Sequence, residues 1–235
     1  MDYNLKDLEG WNNKIEEIAK SEGLDYYPQE YEIIGYNEML SYEAYVGMPS
    51  KYPHWSYGKA YEKNKTLYSL NMTGLPYEMV INSNPCLAYL MKDNTLLLQI
   101  LTMAHVYGHN DFFKNSRLFK EGTDANNALE MFKLDADTIR GYINDPSIGY
   151  SQVERILDSA HSIRYQVPRV IGEKRESQDE QRKRVLEIFN KKKENRGILD
   201  SMEEILPPDI SKIPLNPDDD IIQFIIDYSN LEEWE

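Results

Sequence analysis

Two histidines, His105 and His109, stand four residues apart in the segment His-Val-Tyr-Gly-His. On an α-helix this spacing places both imidazoles on one face, one turn apart. Helices that supply two metal ligands use the same spacing, as in the His-Glu-x-x-His motif of metalloproteases. Position 106 is Val rather than Glu, so the metalloprotease motif itself is absent. The pair therefore indicates a site for a divalent metal, zinc or iron, with two hydrogen-bonded core histidines as the alternative.

A second polar stripe lies in a segment that we predict to be helical, residues 151–165. Glu154, Asp158 and His161 stand at positions i, i+4 and i+7, which a helix brings to one face. His161 or Glu154 can supply a third ligand and leave an open position for water, and Asp158 can act as the base on that water. Two alternatives stay open: Asp158 can orient an imidazole, and Glu154 can form a capping box with Ser151.

Glu78 is a further candidate, because it interrupts the apolar segment Tyr-Glu-Met-Val-Ile at 77–81. A carboxylate flanked by apolar residues must be paired, protonated or exposed. We therefore predict Glu78 as a general base or a metal ligand, with a position on the solvent face of a strand as the alternative. His54 and Trp55, in a tyrosine-rich segment, can line a cleft or simply pack.

Hydrophobic spacing and capping residues outline the elements that must position these side chains. They predict a mainly α fold, a multi-helix core with one short extended or β segment near residues 77–81, followed by a charged helix and an acidic C-terminal segment. The segment around the histidine pair is apolar nearly all round, which predicts a central core helix. The predicted helices are 4–20, 37–46, 86–90, 95–114, 123–143, 151–165 and 218–234, with 173–196 as a solvated helix or a flexible arm.

The charge balance excludes some classes of function. Of 235 residues 40 are acidic and 26 basic, which gives a net charge of −14. A chain this acidic is a poor partner for nucleic acid, which binds through neutralisation of phosphates by Lys and Arg. The sequence also lacks the uncharged apolar run of about 18 residues that predicts insertion into a membrane. The single cysteine, Cys86, allows no intramolecular disulfide and favours a reducing, cytoplasmic location.

Several longer segments resemble the SpoVR family, the stage V sporulation protein R group. The similar stretches are WNNKIEEIAKSEGLDYYPQEYEII, MLSYEAYVGMPSKYPHWSYGK, GLPYEMVINSNPCLAYLM, AHVYGHNDFFKN and LDSAHSIRYQVPR. They cover most of residues 11–170 in the family's order. Together with the composition, the resemblance implies a SpoVR-like helical core at 1–170, a charged helix or arm at 171–199, and a proline-containing linker with the start of a C-terminal helix at 200–235.

Members of this family are much longer than the present chain. The resemblance therefore implies that the chain is the N-terminal half of a longer protein whose C-terminal half is missing. An Asn-Glu-Gly-Trp-Ala stretch from the later part of the family does not occur here. Family members are linked to spore formation, particularly to assembly of the peptidoglycan cortex, and relatives also occur in non-sporulating bacteria.

These observations lead to two hypotheses about the function of the protein, which belong to different classes. The first is a metal-dependent enzyme, a hydrolase in cortex formation, with the histidines and carboxylates named above as ligands and base. The second is a non-catalytic regulatory or scaffold protein of sporulation with structural histidines, which docks unknown protein partners through its charged arm and acidic tail. The sequence contains no glycine-rich phosphate loop and no Gly-x-Ser-x-Gly elbow, so nucleotide binding and serine hydrolysis have no support.

Overall fold

The computed structural model describes residues 3–167, 176–194, 209 and 220–235. These residues form nine helices and three strands, so the predicted mainly α fold is confirmed. The proline-containing linker and most of the acidic segment predicted for 200–235 lie outside the described residues. In chain order the elements are α1 (Leu5–Ser21), β1 (Gln29–Ile34), α2 (Tyr36–Ala44), α3 (Trp55–Ser69), β2 (Glu78–Ile81), β3 (Cys86–Met91), α4 (Leu96–Asn115), α5 (Arg117–Gly122), α6 (Ala128–Asn144), α7 (Tyr150–Ile163), α8 (Gln178–Glu194) and α9 (Ile221–Tyr228).

The chain divides into two compact units, Met1–Glu154 and Arg155–Glu235. The first unit holds the sheet, α1 to α6 and the first residues of α7. The second holds the rest of α7 together with α8 and α9, and within it the backbone N–H of Ile221 donates to the carbonyl of Gln166 at 3.0 Å. The three-part division at residues 170 and 199 that the sequence suggests stays a prediction.

A small mixed sheet in the order β1-β3-β2 organises the first unit. The central strand β3 runs parallel to β1 and antiparallel to β2. Helices cover both faces of β3, so burial along it is almost continuous. The strand prediction at 77–81 is confirmed, and the helix prediction at 86–90 is wrong. An apolar run of this length that is buried on both sides lacks the alternation that would separate a strand from a buried helix.

Alternation along the strands assigns the two faces of the sheet to different helices. On one face Tyr89 packs in a cluster with Met39 of α2, and α3 packs against α2. On the other face Leu90 packs with Leu8 of α1 and Met103 of α4. The sheet is therefore the middle layer between two pairs of helices, which is how a three-stranded sheet can bury both of its faces.

The predicted first helix is confirmed, including its capping residue. The Asn4 side chain accepts a hydrogen bond from the Asp7 N–H, and the Asp7 carboxylate accepts one from the Asn4 N–H, so the pair forms a capping box. Gly23, just beyond the helix, has a φ of +82°, a conformation that glycine adopts without steric cost.

The sequence patterns miss three elements of the first unit, namely α3, β1 and the short helix α5. The N-cap of α3 is His54, whose Nδ1 accepts from the Ser56 N–H at 3.3 Å, and histidine is not among the residues that usually mark a helix start. β1 begins directly after Pro28 and alternates glutamates with partly buried residues. Its hydrogen-bonding partner is β3, more than fifty residues away in the sequence, so no local pattern marks the pairing.

α4 differs from the predicted central core helix. Its buried positions form one stripe that faces the sheet and α1, and Leu97, Leu101 and Phe112 on its outer side are 68%, 59% and 58% exposed. α4 therefore covers the sheet with one side only, and within the described structure its outer face meets solvent. In the described ranges none of the helices, α4 included, combines the length and apolarity that a membrane span requires.

Candidate metal centre

Glu78 is the first residue of β2, an edge strand of the sheet. It lies opposite Leu90, and cross-strand partners share a face, so Glu78 is on the face that carries α4. Its side chain is 18% exposed. The alternative that places Glu78 on the solvent face of the strand is therefore wrong, and the carboxylate faces the helix that carries the histidine pair.

His105 and His109 lie one turn apart on α4, beside the stripe of residues that packs on the sheet. Their ring centroids are 4.4 Å apart with an interplanar angle of 83°. The His105 side chain is 63% exposed, whereas His109 is half-buried and stacks on Phe113, with ring centroids 6.0 Å apart. The predicted arrangement of two imidazoles on one helical face is confirmed.

The three side chains converge between β2 and α4. His105 Nε2 lies 3.8 Å from Glu78 Oε1, and one potential ligand atom from each of Glu78, His105 and His109 lies within 4.8 Å of the others. Ligand atoms at 2.0–2.2 Å from one tetrahedral ion are ~3.3 Å apart, so small side-chain rotations suffice to share an ion. Among the described residues this is the only such group of three or more His, Cys, Asp or Glu side chains.

Electrostatics keep His109 in the form that binds metals. Burial lowers the pKa of His109 below its usual value, and the neighbouring His105 lowers it further, while the Glu78 carboxylate acts in the opposite direction. A lowered pKa means that the imidazole is neutral at pH 7. The neutral ring carries the nitrogen lone pair that a cation requires.

A buried amide fixes the end of α4 that carries His109. Asn110 is fully buried, and its Oδ1 accepts from the Tyr27 N–H at 2.8 Å. Its Nδ2 donates to the Tyr27 carbonyl at 2.8 Å and to Gln29 Oε1 at 2.9 Å. These bonds tie the helix to the start of β1 and set its rotation, so they also set the direction of the adjacent His109 side chain.

A second buried amide fixes the other end of the site. Gln99, also fully buried on α4, donates to the carbonyl of Met91 and to the Tyr3 hydroxyl, both at 2.9 Å. Asn94 donates to Gln99 Oε1 at 3.3 Å and to the carbonyl of Tyr77 at 3.0 Å. Because Tyr77 immediately precedes Glu78, this network links the position of the carboxylate to the helix that carries the histidines.

Sequence reasoning missed these amides as positioning residues. The available signal was the spacing of Gln99 and Asn110, which are eleven residues or about three helical turns apart in an otherwise apolar helix. Polar side chains on the buried face of such a helix need hydrogen-bond partners, and here those partners are the strands next to the site.

Glu154 lies in the first unit but is not a member of the three-residue group. Its carboxylate accepts a hydrogen bond from the Tyr150 hydroxyl at 2.7 Å. The capping-box alternative is wrong, because α7 begins at Tyr150 and Ser151 lies inside its first turn. A role for Glu154 as a metal ligand stays a prediction.

Asp158 and His161 lie on the part of α7 that belongs to the second unit. Asp158 is exposed and His161 is partly buried, and each has interactions with other residues. Their predicted roles, Asp158 as base and His161 as ligand, stay predictions.

Comparison with known proteins identifies the family. The family model described as SpoVR like protein matches residues 2–235, nearly the whole chain. The chain belongs to the SpoVR family. The family inferred from the resembling segments is thereby confirmed. The family takes its name from a sporulation protein, and the chain is sporulation-related in that general sense.

A curated member of this family, the Uncharacterized protein YcgB of Escherichia coli (strain K12), is 36% identical to the chain over 247 residues. The alignment covers 100% of the chain and 47% of YcgB, so the chain spans about half the length of this SpoVR relative. No solved structure gives a significant match to the chain.

Proposed function

We propose that Glu78, His105 and His109 bind one divalent metal ion and that the chain is part of a metal-dependent enzyme, a hydrolase that acts in spore cortex formation. The observation that supports the proposal is the convergence of three potential ligand atoms within 4.8 Å, from a strand and a helix that buried amides hold in place. The cytoplasmic location expected from the single cysteine is part of the proposal.

The chemistry of this ligand set suits hydrolysis. Two imidazoles and one carboxylate are the protein ligands of many catalytic zinc sites, and the same set holds non-haem iron(II). Three protein ligands leave coordination positions for water or substrate, and a bound ion lowers the pKa of that water toward neutrality. The exposed side of His105 gives a substrate access to this position.

The proposal changes the role of Glu78. The sequence left it as a base or a ligand, and its place beside both imidazoles favours the role of third ligand. A carboxylate that coordinates the ion does not serve as the free base, so Asp158 stays the candidate for the base that the sequence predicts. Glu154 and His161 likewise stay the sequence-predicted candidates for a further ligand.

A non-catalytic role as a regulatory or scaffold protein of sporulation is the second candidate. The ring contacts favour it, because His105 packs edge-on against His109 and His109 stacks on Phe113. In that case the histidines stabilise the outer side of α4, and unknown protein partners bind the charged arm or the acidic segment.

Metal content separates the two candidates. The chain is purified without chelator or affinity metal, and bound zinc and iron are counted by elemental analysis. The proposal predicts about one ion per chain, lost in His105→Ala, His109→Ala and Glu78→Gln. Glu32→Gln, an exposed glutamate on β1, is the matched control and should keep the ion. Metal-free protein whose stability survives the histidine substitutions would support the scaffold role instead.

A further inference from the structure

The strand β1 forms the edge of the sheet opposite to β2, and among the described residues it pairs only with β3. We propose that the free edge of β1 binds an extended peptide as a fourth strand of the sheet. The peptide carries basic side chains on one face and apolar side chains on the other. The proposal is independent of the metal site, because it involves none of the same residues.

The free edge offers backbone groups to such a strand. The carbonyl of Ile34, the last residue of β1, accepts from the Lys92 N–H at 2.9 Å and therefore faces the strand β3. Alternate residues of a strand direct their backbone groups to opposite sides, so Tyr31 and Ile33 direct their N–H and C=O groups away from β3. Peptides that extend a sheet in this way obtain affinity from main-chain hydrogen bonds and specificity from alternate side chains.

An apolar groove lies along this edge, between β1 and α1. Two neighbouring cavities of about 700 and 220 Å³ form the groove, and both are lined by Leu5, Leu8 and Ile33. Tyr31 and the buried Leu90 also line the smaller cavity. Every second side chain of a strand added at β1 points to this face of the sheet. Apolar side chains at those positions would fill the groove.

The opposite face of the same edge is acidic. Glu30 and Glu32 alternate with the residues that line the groove, and both are exposed. Glu32 lies beside Tyr89, on the face of the sheet that carries α2. No basic side chain of the described residues forms an ion pair with either glutamate. Because opposite charges on neighbouring strands attract, lysine or arginine side chains of the added strand complement this face.

Two lysines restrict basic side chains of the peptide to the acidic face. Lys6 and Lys92 line the larger cavity together with Ile33, so they lie at the end of the groove next to the end of β1. Their charges repel a basic side chain that enters the groove. The edge therefore favours a peptide in which basic and apolar residues alternate, rather than any basic peptide.

The glutamates also argue against a second copy of the chain as the occupant. Antiparallel pairing of β1 with β1 of another copy would gather Glu30 and Glu32 of both copies on one face of the joint sheet. Like charges on neighbouring strands are destabilising. The charge pattern therefore favours a peptide segment of another protein.

Calorimetric titration of the whole chain with acetyl-Lys-Val-Lys-Val-Lys-Val-amide tests the proposal. The control peptide is acetyl-Lys-Lys-Lys-Val-Val-Val-amide, which has the same composition and charge but no alternation. We expect saturable binding of the alternating peptide, at least about 5-fold tighter than binding of the control peptide, because only alternation matches the two faces of the edge.

Two N-methylated forms of the alternating peptide test the strand geometry. One form carries methyl groups on the valine amides, and the other carries them on the lysine amides. In a strand added at the edge only one of these sets of amides donates to β1, so one form should lose binding and the other should keep most of it. Equal affinities of the two forms would overturn the proposal, because attraction between charges alone does not distinguish them.

A charge reversal tests the acidic face. Glu30→Lys combined with Glu32→Lys should weaken binding of the alternating peptide at least about 5-fold and favour a peptide with glutamate in place of lysine. Glu130→Lys combined with Asp135→Lys on α6 is the matched control, because it changes the net charge equally at two exposed carboxylates that do not line the groove. This control should bind the peptide as the unaltered chain does, and circular dichroism checks that both variants are folded.

Three further results would overturn the proposal. The first is the absence of saturable binding of the alternating peptide, and the second is an equal loss of affinity in the two double variants. The third is binding of dodecanoate, an apolar anion that suits the groove and its lysines, without binding of the peptide.

Discussion

Glu78 Oε1 lies 3.8 Å from His105 Nε2, although the two residues belong to different elements and are 27 positions apart in the sequence. The distance follows from three features of the fold: the antiparallel pairing that sets Glu78 opposite Leu90, the packing of that face on α4, and the rotation of α4. A change in any of these features moves the carboxylate away from the imidazoles.

Zinc should stabilise the chain through the three-residue group. A ligand that binds only the folded state adds about 2.7 kcal/mol when its free concentration is about 100 times its Kd. We therefore expect zinc to raise the thermal unfolding temperature by several degrees, as measured by differential scanning calorimetry. Glu78→Gln and His109→Ala should lose most of the rise, and Glu32→Gln should keep it. An equal rise in all four proteins would mean that zinc binds elsewhere.

The His109 pKa should respond to its two neighbours in opposite directions. In chelator-treated protein, NMR titration of the His109 ring should give a midpoint below the usual value of about 6.5. Glu78→Gln should lower the midpoint further, because it removes a negative charge that stabilises the imidazolium. His105→Ala should raise it, since it removes a neighbouring positive charge. A midpoint at or above 6.5 in the unaltered chain would contradict the described environment.

The same lowered pKa makes stability depend on pH in a defined window. Well above the unfolded-state pKa of about 6.5, His109 is neutral in both states, so it contributes no pH dependence there. Below that value the unfolded chain takes up the proton first, so the free energy of unfolding falls as the pH decreases toward the lowered folded-state pKa. Urea unfolding of the metal-free chain between pH 5 and 7.5 should show this slope, and His109→Gln should reduce it. An unchanged slope in the variant would assign the effect to other groups.

Removal of the Asn110 side chain should lower the free energy of unfolding more than removal of most other polar side chains. Asn110→Ala leaves the partly buried backbone groups of Tyr27 without these partners and opens a small cavity at a fully buried position, which should lower the free energy of unfolding by about 2–4 kcal/mol. Asn115→Ala, on the exposed end of the same helix, is the matched control and should cost less than about 1 kcal/mol. Urea denaturation measures both values, and similar losses in the two variants would contradict the anchoring role of Asn110.

Cys86 should be inert in the folded chain. It is fully buried in the central strand, and burial raises the pKa of its thiol to about 12. Because the thiolate is the reactive form, labelling by an aromatic disulfide reagent should be at least about 100-fold slower in buffer than in denaturant. Fast labelling of the folded chain would mean that β3 opens locally or is not buried as described.

The mainly α fold and the histidine pair could be predicted because both depend on local patterns. The helical spacing of His105 and His109 and the cap at Asn4 lie within single segments. The pairing of β1 with β3 depends on residues far apart in the sequence, so local patterns alone predict a helix where β3 lies. The same limit applies to Glu78, whose role depends on which face of the sheet α4 covers.

The exposed side of α4 illustrates another limit of sequence patterns. An apolar residue such as Leu101 predicts burial, yet it is 59% exposed within the described structure. An apolar side chain tends to be buried, but its hydrophobicity does not identify the element that buries it. By contrast, the buried amide of Asn110 could have been predicted to need partners, though not that Tyr27 supplies them.

Anomalous diffraction from crystals of the chain grown with zinc or iron tests the proposed metal site most directly. With data collected on both sides of the absorption edge of the metal, we predict one strong peak about 2.0–2.2 Å from a nitrogen of His105, a nitrogen of His109 and a carboxylate oxygen of Glu78. No peak at these residues, with the three side chains hydrogen-bonded or packed against protein groups instead, would contradict it.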